Sequence, residues 1–211
     1  MAGQTGTTSQ APKLISGYLN GENNPVVGAP LASPSGSIVQ TQSGQLGVNL
    51  VLSTDDARKL SSPSVGTLFG GTYKLIRLAA GAATASARGM LAFWDTSVGD
   101  NLYQVTNNET SNGGVVLIAG VFLNTITQGN YGWIQVAGKA SCKCRATVTA
   151  ATRYIIWAGA GAGADNALVD GLATGATFAT AQLNNFIGIG EAVAANGATI
   201  AVDLEPGVVR Q

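Results

Sequence analysis

The sequence predicts an all-β protein: a compact β-sandwich or small barrel, with a jelly roll among the arrangements allowed, behind an extended N-terminal arm. Three observations carry this. From Thr67 onward, short apolar and β-branched runs recur at roughly 8–12-residue spacing between Gly- and Asn-rich turns. Five of the six prolines fall before residue 64, in a stretch with neither helical nor regular strand periodicity. Near the end, Asn196-Gly197, a strong hairpin signal, precedes an alternating strand.

The elements follow in chain order. Residues 1 to about 50 are rich in Gly, Ser, Thr, Asn, Gln and Pro, with apolar pairs at Leu14-Ile15, Tyr18-Leu19 and Val26-Val27. A plain linker has no need of such pairs, so this stretch reads as an arm that orders against neighbouring subunits. Ser53 to Leu60 is the clearest helix: Ser or Thr to cap, Asp55 and Asp56 in the first turn, Arg58 and Lys59 near the end, and Pro63 beyond. The sequence thus divides into an arm, 1–65, with one short helix near 54–60, and a β domain, 66–211.

Strands are predicted at Thr72–Leu78, Gly89–Trp94, Tyr103–Thr106, within Val115–Leu123, at Trp133–Gly138, Ala146–Thr149 and Arg153–Trp157, and from Gly188 to Val193. In the last strand, Ile200, Val202 and Leu204 share one face while Thr199, Ala201 and Asp203 share the other. In Thr72–Leu78, Tyr73 and Leu75 alternate with Lys74. Phe178–Phe186 reads as a loop or a helical turn.

Composition narrows the function. The 211 residues hold 11 Lys+Arg, 11 Asp+Glu and no His. Without His there is no Ser-His-Asp triad, no Cys-His pair and no His-ligated zinc. Zero net charge makes the chain a poor grip for nucleic-acid phosphates. Only 10% of residues are charged, against about 25% in an ordinary soluble domain. A surface so short of charge suits a protein that is packed against other copies or another surface. The start, Met1-Ala2-Gly3-Gln4, has no basic or apolar leader, and the longest apolar run is far below the ~18 residues of a membrane span. Synthesis in a cytoplasm and no membrane partner are expected.

Candidate chemistry is sparse. Phe93-Trp94-Asp95-Thr96-Ser97 is similar to an aspartic-protease signature, but that chemistry needs two carboxylates sharing a proton, and no second motif is present. Gly159, Gly161 and Gly163 are not followed by the Lys of a phosphate loop. Asp165, Asn166 and Asp170 lack calcium-loop spacing. Asn108-Glu109-Thr110 fits a glycosylation sequon, which says nothing without a secretion signal. Lys139, Lys143, Arg145 and Arg153 read as a solvated face. Cys142 and Cys144 are two apart on a strand, too far for an unstrained disulfide and too few for a metal, so they read as buried or free thiols. No enzyme activity and no cofactor are expected. The aromatics Trp94, Tyr131, Trp133, Tyr154 and Trp157 would dominate a core or an interface.

Two segments carry a resemblance. Pro63-Ser-Val-Gly-Thr-Leu-Phe-Gly-Gly-Thr-Tyr73, and Ala119–Leu123 running on to Gln128-Gly-Asn-Tyr-Gly-Trp-Ile-Gln-Val-Ala-Gly-Lys-Ala140, resemble head proteins of tailed bacteriophages. Ile189-Gly190-Glu191-Ala192 before the final strand fits the same pattern. The resemblance covers about two thirds of the chain and leaves the arm unmatched. It implies a capsid decoration, or cement, protein on the virion's outer surface, binding the major capsid protein and itself, often as a homotrimer, and clamping capsomers together. Leu14, Ile15, Tyr18, Leu19, Val26, Val27, Tyr131 and Trp133 are the interface residues expected on this reading. The alternatives are a phage tail, fibre or host-surface binding module and, far behind, a hydrolase using Asp95.

Overall fold

The computed structural model describes residues 46–47, 49–60, 67–82, 85–95, 103–108, 117–149, 154–157, 167–172 and 186–204. The described residues form ten strands and one short helix: β1 (Asn49–Leu52), α1 (Thr54–Leu60), β2 (Gly71–Leu78), β3 (Leu91–Trp94), β4 (Gln104–Thr106), β5 (Ile118–Phe122), β6 (Tyr131–Lys143), β7 (Tyr154–Trp157), β8 (Val169–Leu172), β9 (Phe186–Gly190) and β10 (Thr199–Leu204). The protein is all-β, and the barrel reading holds. Five strands close a ring in the order β2, β4, β3, β5, β6 and back to β2. All its pairings are antiparallel except β2 with β4. Closure satisfies the backbone groups that an open sheet would leave at its edges.

β6 links the two halves of the molecule. Its first residues pair with β2 and β5, and Gly138 to Lys143 pair with β10. β9, β7 and β8 then extend the sheet. Two devices let one strand serve both halves. Opposite Thr72 and Tyr73 the register slips, so that Ala137 and Gln135 are the partners and Val136 is the extra residue of a bulge. The Gln135 amide, buried, then donates to the carbonyls of Ala137 (3.3 Å) and Lys139 (2.6 Å). Directly after the bulge, Gly138 takes a φ of +84°. A Cβ there would lie 2.7 Å from the Gly70 carbonyl oxygen and 3.0 Å from the Gly71 Cα, so the chain passes the start of β2 with no room for a side chain.

The core has two parts. The larger cluster includes Ile76 and Leu78 of β2, Leu91 and Phe93 of β3, Val105, Phe122 and Ile134, and continues through Ala140, Cys142, Ile155, Ile200 and Val202. The opposite face of β2 builds the smaller one: Tyr73 and Leu75 meet Leu52, Ala57, Leu68, Leu123 and Trp133. The smaller cluster attaches β1 and α1 to the barrel. Residues 49–60, assigned to the 1–65 segment on sequence, therefore lie against β2.

The helix begins as its residues predict. The Ser53 hydroxyl accepts from the Asp56 backbone N–H (3.1 Å) and donates to the Asp56 carboxylate (2.8 Å), while the Ser53 carbonyl accepts the first helical bond from Ala57. Three expected strands differ from the structure, the one expected at Gly188–Val193 lying instead at Phe186–Gly190. The strand expected to end at Gly138 runs on to Lys143. Ala146–Thr149 makes only an isolated bridge, Val148 with Ala194. The Asn196-Gly197 turn is present, with Ala198 N–H donating to the Ala195 carbonyl, but it docks on the end of β6 through the Cys144 carbonyl and N–H.

Candidate interaction surfaces

Six of the eight residues expected at an interface, Leu14, Ile15, Tyr18, Leu19, Val26 and Val27, lie outside the described residues. The other two begin β6. Tyr131 is half-buried opposite Arg77, and Trp133 is buried opposite Leu75 in the smaller core cluster. Trp133 thus spends its surface inside its own chain.

The sites of chemistry considered on sequence resolve into structural contacts. Asp95, buried just beyond β3, accepts a hydrogen bond from the Gln104 side-chain amide on the neighbouring strand (3.0 Å). Asp170 binds Arg145 through one carboxylate oxygen, at 2.6 Å from Nη2 and 3.2 Å from Nε. Asp165 and the Gly159–Gly163 run lie outside the described residues, as does Arg153. Among the described residues no three His, Cys, Asp or Glu gather as metal ligands, and no helix is long and apolar enough to cross a membrane.

Lys139 and Lys143 alternate along β6 with the buried Ala140 and Cys142 and so share the opposite face, and Arg145 follows just beyond the strand. Glu191 lies 2.5 Å from Lys139 and its carboxylate holds that ammonium's pKa above the usual range. Two of these cations, Lys139 and Arg145, are therefore matched locally by acids. One buried cation was not legible in the sequence. Lys74 sits between Trp94 and Tyr103, with its ammonium 5.7 and 5.9 Å from the ring centroids. Barrel closure buries the face of β2 that alternation had assigned to solvent.

The two thiols are buried side by side in the larger cluster. Burial pushes the Cys142 thiol far above its usual range, and burial together with nearby Asp170 raises Cys144 to about 11. Burial also raises the Tyr73 hydroxyl, which donates to the Phe69 carbonyl, to about 12. The native state keeps these three protons at pH values where the unfolded chain gives them up. It therefore binds more protons than the unfolded state from about pH 8 upward, as the unfolded thiols begin to ionise, and stability must fall as pH rises from there. Urea midpoints across pH 7–10.5 should be level on this account up to about pH 8 and then decline. A midpoint still level at pH 10.5 would refute the assignment. At pH 8 a thiol-specific disulfide reagent should label neither cysteine until the chain is unfolded.

Three features face outward. A row crosses five strands through ladder partners: Leu172, Tyr154, Ile189, Asp203 and Lys139. Ile189 in this row is 41% exposed. Tyr154 packs against Phe186 with ring centroids 6.2 Å apart. A shallow apolar groove is lined by Thr147, Val148, Thr149, Val193, Ala194 and Ala195. Finally, β1 stands at one end of the strand order with β2 as its sole partner among the described strands, and its Val51 is 75% exposed.

No family model matches the chain, and no curated protein matches it. Among solved structures it is similar to the head fiber gp8.5 N base of bacteriophage phi29, with a TM-score of 0.40 and 11% identity, over 64% of this chain and 93% of that one. A likeness of this size fixes neither fold nor role.

Proposed function

We propose that this chain is a structural protein of a tailed-phage head, which binds the outer surface of the capsid and stabilises contacts between capsomers and between neighbouring copies. The observation that carries this reading is the shortage of charge, 10% of residues, on a chain that combines a closed barrel with a long N-terminal segment. Residues 1–45 contain one Lys and one Glu. Such a segment engages a partner through main-chain hydrogen bonds and small apolar anchors rather than ion pairs. Each contact is weak, but on a symmetric shell the first tethered contact raises the effective concentration for the next, so many weak contacts add. The resemblance of Pro63–Tyr73 and Ala119–Ala140 to phage head proteins supports the same setting. On this reading the protein is neither an enzyme nor a nucleic-acid or membrane binder, takes no cofactor, and has the major capsid protein and its own copies, as a homotrimer, for partners.

The test is co-sedimentation with expanded, DNA-free capsids. Full-length protein should pellet with shells and resist high salt, because ion pairs supply little of the binding. Deleting residues 1–45, which leaves β1 intact, should weaken binding at least tenfold. Unchanged binding after that deletion would remove the arm from the mechanism. Binding to host cells or glycans, with none to shells, would replace this reading with a host-surface module.

A further inference from the structure

We propose that the outer edge of β1 is a docking site for an extended segment of a second copy of this chain, residues Leu14–Leu19. This rests on the proposed reading that the arm joins neighbouring copies, and it says where the arm binds. β1 pairs with β2 along one side only, from Asn49 opposite Lys74 to Leu52 opposite Gly71. Among the described residues its other side faces no strand. Exposed strand edges are usually blunted by charge or proline, because unpaired N–H and C=O groups template a further strand. The opposite end of the sheet follows that rule: β8 carries Asp170, paired to Arg145. β1, Asn-Leu-Val-Leu, carries neither charge nor proline, and presents Val51 to solvent.

The occupant follows from the chain itself. Residues 1–45 run directly into this edge, and their root is fixed. Gly47, at φ +82°, donates to the Leu75 carbonyl, and a Cβ there would fall on the Tyr103 ring, about 2.1 Å from Cζ. Between Pro12 and Pro25 lies a proline-free run holding two apolar pairs, Leu14-Ile15 and Tyr18-Leu19. The chain between Leu19 and Leu46 can span about 85 Å when extended, enough to reach a neighbouring molecule. A segment almost without charge meets an edge without charge. Four residues of edge offer the outward N–H and C=O of about two residues. One docking event is therefore weak, which suits an arrangement that gains strength by repetition.

Disulfide trapping in full-length protein tests this without any shell present. The native thiols are buried, so introduced cysteines report alone. A Val51→Cys chain mixed with a size-tagged Ile15→Cys chain should give a mixed disulfide dimer. Its yield should be at least tenfold above that of Val193→Cys with the same partner, Val193 being a comparably exposed control. Moving the arm cysteine from Leu14 to Leu19 should make the yield alternate with period two, as a strand requires. Three results would overturn the proposal: no mixed dimer, equal yield at Val193, or a link formed only within one chain when both cysteines are on it. Capsid co-sedimentation is measured separately, so loss of shell binding and loss of trapping are distinguishable failures.

Discussion

Replacing Trp133 by alanine is expected to remove about 3–5 kcal/mol of folding stability, the usual cost of truncating a buried Trp. In a domain of this size each kcal/mol moves the melting temperature by roughly 2–4 °C, so a fall of about 6–20 °C should be seen by circular dichroism. The reason is position. Trp133 lies on β6 opposite Leu75 of β2 and fills the cluster that also receives Leu52 from β1, Ala57 from α1 and Leu68. Its removal opens a cavity in the apolar cluster that packs β1 and α1 onto the barrel. The variant should therefore also lose protection from hydrogen exchange at residues 49–60 before the barrel itself opens. Trp133→Phe, which keeps a ring in place, should recover most of the loss. A melting temperature within 2 °C of the parent for Trp133→Ala would mean that the indole does not pack as described.

That position also shows what sequence can and cannot specify. A Trp in an alternating β run has to be covered, but alternation does not say by what. The sequence left Trp133 as either core or interface, and the cover turns out to be this chain's own β1 and α1. The strand β10 was readable residue by residue because one of its faces is buried and the other wet, which yields alternation. The Ser53 cap was readable because capping is local chemistry. β2 was half readable: Tyr73 and Leu75 are core, but Lys74 is buried too, since closing the barrel gives β2 two covered faces. β8, Val-Asp-Gly-Leu, was missed because Asp and Gly are poor strand formers and only its pairing with β7 makes it a strand. Among the expected interface residues, those before residue 46 carry composition and spacing but no periodicity, so the sequence names no face for them. The docking edge proposed at β1 has no sequence signal beyond the absence of charge and proline.

Gly138→Ala should destabilise the protein by about 2–5 kcal/mol, a large effect for a single methyl group. The left-handed backbone costs an L-residue roughly 1–2 kcal/mol. Forcing a methyl group into an occupied site costs about 1–3 kcal/mol more, and here the neighbours are backbone: the Gly70 carbonyl at 2.7 Å and the Gly71 Cα at 3.0 Å. Neither can turn aside as a side-chain tip can, so β6 and the start of β2 must move apart. That movement would strain the bulge at Val136 and the two carbonyls that Gln135 satisfies. A glycine in a strand interior weakens it and often marks a bulge or a close backbone approach, and on sequence the strand is expected to end at residue 138. The structure instead uses the bulge and this glycine to turn one continuous strand from the barrel into the β10–β9–β7–β8 sheet. Gly197→Ala is the control. Gly197 has nearly the same φ, +77°, but nothing lies within 4 Å of the added Cβ. The control should show the backbone cost alone, about 1–2 kcal/mol. Equal melting temperatures for the two variants would show that the close passage of β6 over Gly70 contributes nothing. A clearly lower one for Gly138→Ala would make that passage the joint on which the two halves of the fold depend.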